Sequence, residues 1–518
     1  WDIILPCNQN YKYDDLVRGG LIAGRCSSDF IGLLETNTMS SIVLEFLDNK
    51  DEILNNKEIS LDEVLECLPE NGNLKDFKAN TKEELFIKFE EILNAPIEDE
   101  LMAQVDVTSL YPYVASERLF PVGDYKLMNL EDFKSLLESR DKIFFVNCRF
   151  KQDKIREQTK FFSDSKGYNY YPLRLKKEDG TLDEERKTNP SATEGRLKWD
   201  SDIEWNTAFI PSITFFDLYD ANCEIEILNT TDEYVGIMWN ESSYIFNSYV
   251  RKFAVGKMEE DLKPLVETIN HDGTIIPARN KAKREMCKLS LNAPTGKVIQ
   301  RKHNNTNILY SKASDLIKEI NKLSKKDIEI GDDLEIYTVP GTDKSFVKLP
   351  KYYDPERNAT VPAHIGVLIY AYARSYMWNT VISKTRYRYM DTDSAMPDFK
   401  YIKTLEEMNL MNGAHDAIRF GKFGIDGLFS TAIVISPKFY YLSNNKDKPK
   451  VSMKGIGPRD IIESDDDTDG KKVSECYFEI FNKLLTGEDV YTRTFQFRKS
   501  IKLSSWERAE IIKTTPAL

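Results

Sequence analysis

The sequence predicts a mixed α/β (α+β) fold, because helical and strand patterns follow one another along its 518 residues. Leucine and isoleucine recur at helical spacing in residues 51–95, and two more helical patterns fill residues 240–292. Two short apolar segments, residues 102–107 and 387–389, are typical of buried strands, and each leads into a turn that carries aspartate. A chain of this length exceeds one compact core, so we expect roughly two to four structural units.

Three other segments of the chain also carry patterns that predict local structure. Apolar residues at helical spacing in residues 363–382 predict a helix with a buried face. Residues 297–362 favour strands and loops, with short alternating runs between residues 328 and 336. Residues 136–205 are charged and irregular around one aromatic run, and we interpret them as part of an insertion.

The composition excludes several classes of protein. No apolar run approaches the roughly 20 residues needed to cross a bilayer, so we expect no membrane partner. No secretory leader opens the chain, and because it begins at Trp1 we expect a processed chain or a fragment. Seven scattered cysteines without a C-x-x-C pair argue against a disulfide framework or a zinc ribbon and favour a reducing intracellular compartment.

The distribution of charge along the chain bears on whether nucleic acid can be its partner. The net charge of −13 is unfavourable for a nucleic-acid partner, but such binding depends on a local basic surface and not on the global sign. The acids concentrate in residues 51–100 and 463–469, so a basic surface can form elsewhere.

Two acidic motifs carry the strongest chemical signal. Asp106 ends a short apolar strand, and Asp391 and Asp393 form a pair at a strand-to-strand turn. An isolated D-T-D pair is ordinary turn chemistry, since aspartate hydrogen-bonds its own backbone. Aspartates at adjacent strand ends also suit Mg²⁺, which takes one or two carboxylates together with phosphate and water. Such ions support phosphoryl transfer by neutralising the triphosphate and by lowering the pKa of the attacking hydroxyl.

Taken together, the two motifs resemble those of a known family. Residues 106–112 read D-V-T-S-L-Y-P and residues 389–394 read Y-M-D-T-D-S, and they are similar to motifs A and C of family B DNA polymerases. Between them, K-L-S-L-N-A-P-T-G at residues 288–296 resembles motif B of the fingers, K-x-x-x-N-S-x-Y-G. The usual Ser and Tyr are replaced by Ala293 and Thr295.

The region around motif B predicts a cationic helix. Lys281, Arg284, Lys288 and Asn292 fall on one face, and a stripe of cations suits a triphosphate. Pro294 lacks a backbone donor and disfavours helix in the residue before it, so we expect this helix to end near Asn292. The resemblance then implies either a looser wall over the nascent base pair with lower fidelity, or a neighbouring aromatic residue that fills the gap.

The resemblance implies a right-hand polymerase fold, with an antiparallel palm sheet, helical fingers, a small thumb and two insertions. We expect the chain to divide as follows: 1–135, N-terminal segment and first part of the palm; 136–235, an insertion that contacts the priming protein; 236–296, fingers; 297–362, a second insertion; 363–455, second part of the palm; and 456–518, thumb.

The resemblance also implies roles for individual residues. Two Mg²⁺ ions, or Mn²⁺ in their place, are expected to bind Asp106, Asp393 and the carbonyl of Val107, with Asp391 as a supporting catalytic carboxylate. The incoming dNTP is expected to contact Ser109, Leu110, Tyr111, Arg284, Lys288 and Asn292. The Tyr111 ring is expected to lie under the sugar and exclude a 2′-OH.

Further matches concern the DNA primer–template. Lys438 and Tyr440 resemble the K-x-Y motif that contacts the primer end, and Gly19 and Gly20 resemble the end of a Y-x-G-G element whose Tyr is replaced by Val17. The insertions, recognised by position only, are similar to those of the protein-primed branch of phages, adenoviruses and linear plasmids. That branch implies a terminal (priming) protein as a partner, and a host cytoplasm, a host nucleus or a virion as the location.

Two alternatives stay open at this point. The altered motif B fits a non-catalytic DNA-binding remnant of a polymerase, although such a remnant has no reason to keep three mutually repelling carboxylates. A family B polymerase with another priming mode would carry the same motifs.

Overall fold

A computed structural model describes residues 11–29, 31–35, 46–47, 49–56, 59–66, 79–94, 102–161, 165–174, 197–199, 205–230, 233–269, 274–300, 303–304, 307–310, 312–324, 336–338, 342–348, 352–353, 361–398, 400–412, 420–443, 449–453, 473–488, 495–503 and 507–515. Within these ranges, no helix is long and apolar enough to span a membrane.

The described helices are α1 (Tyr11–Gly19), α2 (Lys50–Asn55), α3 (Leu61–Glu66), α4 (Lys82–Asn94), α5 (Leu110–Glu117), α6 (Leu130–Ser139), α7 (Asp153–Gln158), α8 (Ser212–Asp220), α9 (Asn247–Asp261), α10 (Lys281–Lys297), α11 (Ala313–Ser324), α12 (Ala363–Met377), α13 (Lys400–Glu407) and α14 (Val473–Thr486). A π-helical segment (Trp378–Ile382) continues α12.

The described strands in the first half of the chain are β1 (Cys26–Ser28), β2 (Gly32–Glu35), β3 (Met102–Val107), β4 (Phe120–Val122), β5 (Lys126–Asn129), β6 (Ile143–Phe150), β7 (Leu173–Arg174), β8 (Leu197–Lys198), β9 (Asn206–Pro211), β10 (Ile225–Ile227), β11 (Tyr234–Trp239) and β12 (Glu241–Ser243). Those in the second half are β13 (Thr268–Ile269), β14 (Ile275–Ile276), β15 (His303–Asn304), β16 (Asn307–Tyr310), β17 (Ile336–Thr338), β18 (Ser345–Lys348), β19 (Tyr352–Tyr353), β20 (Tyr387–Asp391), β21 (Ser394–Pro397), β22 (Phe423–Phe429), β23 (Thr431–Ser436), β24 (Phe439–Ser443), β25 (Lys450–Ser452), β26 (Phe495–Leu503) and β27 (Glu507–Thr515).

The central sheet joins the two acidic motifs. Its strands run in the order β1-β20-β21-β3-β22, and each neighbouring pair is antiparallel. Because β3 lies between β21 and β22, Asp106 pairs with Ser394 on one side and with Gly424 on the other. Both faces of β3 are buried, since Val105 joins the main core and Met102 joins a second cluster. The predicted α/β class and both predicted strands are confirmed.

A second antiparallel sheet takes one strand from a segment that was expected to be irregular. Its strands run in the order β10-β6-β11-β5, and β9 also pairs with β6. Of these strands only β6 lies within residues 136–205, so the expectation of an irregular segment is wrong for β6, for helix α7 and for the short pair β7 and β8. Strand β6 buries consecutive residues, among them Phe144, Phe145 and Val146, which removes the two-residue alternation by which a strand is recognised. Since β5 precedes residue 136 and β11 crosses residue 235, the limits of this insertion stay a prediction.

Helix α12, which precedes the second acidic motif in the chain, is buried on more than one side. The consecutive apolar residues Val367, Leu368 and Ile369 project in different directions, and each is at most 1% exposed. The π-helical segment follows without a break, and the Ser383 amide donates to the Trp378 carbonyl across five residues. The predicted helix over 363–382 is confirmed, with more than one face buried.

The region 297–362 contains the predicted strands but also a helix that was not expected. Helix α11 is amphipathic, and its Leu316 is fully buried. The strand-and-loop prediction is therefore wrong for residues 313–324, where polar residues between the apolar ones hid the helical period. The predicted run at residues 328–330 lies outside the described residues.

The helical prediction for residues 51–95 is confirmed by α2, α3 and α4. These helices enclose a small core of their own, made by Val64, Leu85, Phe86 and Phe89. The Lys82 ammonium donates to three backbone carbonyls at 2.8–3.0 Å, which ties α4 to the chain between α2 and α3.

Candidate active site

A cleft of about 940 Å³ lies where the central sheet meets the helix pair α9 and α10. Every residue predicted to be catalytic, metal-binding or nucleotide-binding lines this cleft, and so do Lys438 and Tyr440. Gly19 and Gly20 do not line it. Gly20 packs against β9 instead, where a Cβ atom would lie 2.4 Å from the Phe209 carbonyl oxygen. The predicted catalytic and nucleotide-binding residues thus lie together in one cleft, while the expected contact of Gly19 and Gly20 with the primer–template stays a prediction.

The turn between β20 and β21 is held on both sides by backbone hydrogen bonds. The Thr392 amide donates to the Arg25 carbonyl at 2.6 Å, and the Val107 amide donates to the Asp393 carbonyl at 2.9 Å. Thr392 has a φ of 62°, a left-handed conformation that suits a tight turn. Gly24 contacts this turn so closely that a Cβ atom would lie 2.5 Å from the Thr392 side chain. The segment that supports the turn is thus Gly24–Arg25, which the sequence did not single out.

The electrostatics of the cleft are set first by the burial of its carboxylates and then by the repulsion between them. Burial, followed by the negative charges of Asp393 and Asp426, raises the pKa of Asp106 to about 7. Burial is also the main cause that raises the pKa of Asp393, with the charge of Asp391 adding to it. The Lys438 ammonium lies 2.8 and 2.9 Å from the two oxygens of Asp391, so this carboxylate is paired while the other two are not neutralised in the same way.

Asp426 is an acidic residue of the cleft that the sequence analysis missed. It lies at an irregularity of β22, where the pairing with β3 shifts between Ile425 and Gly427. Lys450 binds it at 2.5 Å and also donates to the side-chain oxygen of Gln104 at 2.7 Å. In the sequence, Asp426 stands between two glycines in an otherwise apolar segment, which could have indicated a functional acid. It matches no motif, so it could not be distinguished from an ordinary exposed residue.

The carboxylates fit divalent ions that share their coordination with a substrate. In the part of the chain that the structure describes, no three His, Cys, Asp or Glu side chains are arranged to hold a metal ion by themselves. Asp106 and Asp393 instead offer two hard oxygen donors beside an open cleft, and Mg²⁺ commonly takes one or two carboxylates plus phosphate and water. A cation would also relieve the repulsion that raises the pKa of Asp106.

The start of α5 presents backbone donors to the cleft. Ser109 precedes the helix with φ 57° and ψ 54°, so the chain turns sharply into Leu110 and Tyr111. No described residue accepts a hydrogen bond from the amides of these three residues. Free amides at a helix N-terminus favour anions, which agrees with the expected phosphate contact.

Tyr111 is held from the side away from the cleft. Its ring meets the Tyr370 ring edge-on, with centroids 4.9 Å apart. Burial, more than any charge, raises the pKa of the Tyr111 hydroxyl, so it stays neutral. A supported, neutral ring in the cleft matches the expectation of a steric contact with a sugar.

The cationic wall of the cleft comes from α9 as well as α10. Arg284, Lys288 and Asn292 line it as predicted, and Lys257 of α9 joins them. Lys288 makes no ion pair with a described residue. The Arg284 guanidinium is bound at 2.5 Å by Asp261, an acid that the sequence analysis did not single out.

Helix α10 does not end near Asn292, so that prediction is wrong. It continues through Pro294 to Lys297, and the Val298 amide donates to the Pro294 carbonyl. Pro294 leaves the Ser290 carbonyl without its usual amide donor, and the hydroxyl of Tyr249 on α9 donates to that carbonyl at 2.9 Å. A tertiary hydrogen bond thus replaces the helical one. Thr295 is 6% exposed and lines the cleft, so it fills a packed position.

Similarity to known proteins identifies the family to which the chain belongs. The family model for DNA polymerase type B, organellar and viral, matches residues 90–385, which is more than half of the chain. No curated protein sequence matches the chain.

Several solved structures of phi29 DNA polymerase are similar over most of the chain. The complex with primer-template DNA and incoming nucleotide has 13% sequence identity and a TM-score of 0.48, covering 99% of this chain and 63% of that chain. The orthorhombic crystal form has 15% identity and a TM-score of 0.43, covering 82% of this chain and 60% of that chain. The chain therefore spans about three-fifths of the length of these polymerases. On the match of the family model, the chain belongs to the organellar and viral type B family of DNA polymerases.

Proposed function

We propose that this chain is a template-directed DNA polymerase that transfers the nucleotidyl group of a dNTP to a primer 3′-OH. The observation that carries the proposal is the pairing of β3 with β21, which brings Asp106 and Asp393 together opposite the cationic wall of α9 and α10. In the reaction, the primer 3′-hydroxyl loses its proton to water and its oxygen forms a bond to the α-phosphorus. The bond from that phosphorus to the oxygen shared with the β-phosphorus breaks, and pyrophosphate leaves.

The residues that would hold the metal ions are Asp106, Asp393 and the carbonyl of Val107, with Asp391 in support. Two bound Mg²⁺ ions would neutralise the triphosphate and lower the pKa of the attacking hydroxyl. Lys438 binds Asp391 in this structure, and its place at the cleft also suits contact with the primer end, as does that of Tyr440.

The other residues of the cleft bind and select the nucleotide. The amides of Ser109, Leu110 and Tyr111, which no described residue accepts from, are suited to phosphate oxygens, and Lys288, which pairs with no described acid, offers a positive charge from the opposite wall. The Tyr111 ring, supported by Tyr370, would clash with a ribose 2′-OH and so select deoxyribonucleotides.

We propose protein-primed replication of a viral or linear-plasmid genome as the setting, with a terminal protein as the partner. Membership of the organellar and viral family supports this setting. A non-catalytic DNA-binding remnant is the second candidate, but the repulsion that Asp393 and Asp426 exert on the buried Asp106 disfavours it, because such repulsion has a use only when a cation is bound.

Primer extension by the full chain tests the proposal. We expect incorporation that depends on primer, template and Mg²⁺, and that stops when EDTA is added. Binding of the primer–template without any incorporation would favour the non-catalytic remnant. Incorporation onto a hydroxyl-bearing protein, with no DNA primer present, would separate protein priming from other priming modes.

A further inference from the structure

The carboxylate of Asp261 lies between two cations of the cleft. Asp261 is the last residue of α9, and its side chain is 7% exposed. One oxygen accepts from the Lys257 ammonium at 2.9 Å, and the other accepts from the Arg284 Nε at 2.5 Å. Both cations line the cleft, whereas Asp261 lies behind them in a neighbouring apolar cavity.

The same carboxylate ties the two fingers helices together. Lys257 lies one turn earlier on α9 and Arg284 lies in the first turn of α10, so the contact spans both helices. Arg279, just before α10, donates to the Asp261 carbonyl at 2.6 Å and lies 3.9 Å from the carboxylate. Burial would raise the pKa of Asp261, but the hydrogen bonds from Arg284 and Lys257 outweigh burial and lower this pKa, so the group is ionised at neutral pH.

Both cations keep donors that can reach a ligand. Arginine has five N–H donors and lysine has three. Arg284 uses Nε on Asp261 and Nη1 on the exposed Glu285, and no described residue binds its Nη2. Asp261 thus fixes the direction of each side chain without occupying all of its donors.

We propose that Asp261 is a positioning residue that orients Lys257 and Arg284 toward the triphosphate of the incoming nucleotide. The inference rests on the proposed function, since it concerns the nucleotide of that reaction. Lys and Arg side chains have large rotamer freedom, and a ligand that orders them itself binds more weakly. A buried acid that orders both beforehand favours the binding of a polyphosphate, even though its negative charge offsets part of the attraction.

Inorganic tripolyphosphate is the probe that tests this role without catalysis. We expect Asp261→Asn to weaken the binding of tripolyphosphate to the full chain by about tenfold or more, the loss typical of one charge-assisted hydrogen bond. The KM for dNTP is expected to rise in parallel, while the affinity for primer–template stays unchanged. In an Arg284→Ala background the further loss on Asp261→Asn is expected to be smaller, because Asp261 can then act only through Lys257 and the cycle is non-additive.

Glu260 provides a matched control on the same turn of α9. It is 1% exposed and binds Lys263, Lys283 and the Asn280 amide, none of which lines the cleft. We expect Glu260→Gln to lower the melting temperature but to leave tripolyphosphate affinity unchanged, so general damage to the fingers is separated from loss of positioning.

Two results would overturn the inference. One is a tripolyphosphate affinity of Asp261→Asn equal to or tighter than wild type, which would mean that Asp261 restrains the cations instead of presenting them. The other is an equal loss with and without Arg284. If Asp261→Asn does not fold, Asp261→Glu takes its place, because it keeps the negative charge and displaces the carboxylate oxygens by one methylene. An unchanged affinity of Asp261→Glu for tripolyphosphate also overturns the inference. A wild-type chain that binds tripolyphosphate but extends no primer contradicts the proposed function and leaves the positioning role standing.

Discussion

The carboxyl group of Asp106 is expected to make the proposed metal binding depend on pH in a defined window. Burial, and then the charges of Asp393 and Asp426, raise the pKa of this group from 3.8 to about 7. A divalent ion binds the carboxylate and not the acid, so a proton competes with the ion at Asp106. Between about pH 6 and about pH 8 the ionised fraction of such a group rises about tenfold, and the apparent affinity for Mn²⁺ is expected to rise by the same factor.

The same pKa shift makes the stability of the metal-free protein fall as the pH rises, whereas metal affinity is expected to rise. Because the pKa is higher in the folded chain, protonation of Asp106 stabilises the fold, and this stability is fully present below the ordinary pKa of 3.8. It is lost as the pH rises through about 7. Added metal ion is therefore expected to raise the melting temperature more on the alkaline side of this window than on the acidic side.

Calorimetric titration of Mn²⁺ at about pH 6, 7 and 8 measures the effect. Wild type is expected to gain affinity over this range, while Asp106→Asn binds weakly and loses the part of the pH dependence due to Asp106. Asp398→Asn is a matched control, since Asp398 pairs with Arg388 at 3.9 Å and does not line the cleft. A wild-type affinity that stays constant across the window refutes the reasoning.

Three further substitutions probe other parts of the site. Tyr111→Ala is expected to admit ribonucleotides, measured as the ratio of kcat/KM for dNTP and rNTP, and an unchanged ratio would assign sugar selection to another side chain. Lys288→Ala is expected to raise the KM for dNTP far more than the Kd for duplex DNA, and a change in DNA affinity alone would assign this helix face to the template. Tyr249→Phe removes the hydroxyl that donates to the Ser290 carbonyl, and it is expected to lower the free energy of unfolding by about 1 kcal/mol. Tyr244 is exposed, so Tyr244→Phe is a control that is expected to change the free energy of unfolding little. Equal effects of the two substitutions would show that the hydrogen bond contributes nothing to stability.

The sequence identified the residues whose role follows from local chemistry. Asp106, Asp391 and Asp393 stand at strand ends and turns, so their convergence could be predicted from short motifs. Asp426 and Asp261 are isolated acids whose roles depend on residues distant in the chain. Asp426 acts on the charge of Asp106, and Asp261 pairs with Arg284. Nothing near either residue in the sequence indicates those partners.

Local rules failed where tertiary contacts outweighed them. Pro294 predicts the end of a helix, but the Tyr249 hydroxyl satisfies the carbonyl that proline leaves unpaired, and the helix continues. Strand β6 was missed because burial on both faces replaces the alternation that marks a half-buried strand. The predicted loss of fidelity rested in part on an early end of α10, which the structure does not have. The other part, the replacement of the usual Tyr by Thr295, can be tested by comparing the misinsertion kinetics of Thr295→Tyr with those of wild type.

The most direct measurement is single-turnover incorporation of one dNTP by Asp393→Ala on a bound primer–template. Losing this carboxylate is expected to remove several kcal/mol of transition-state stabilisation, so that the rate falls by about a thousandfold or more while the Kd for DNA stays near that of wild type. Incorporation within about tenfold of the wild-type rate would contradict the assignment of Asp393 as a metal-binding catalytic residue.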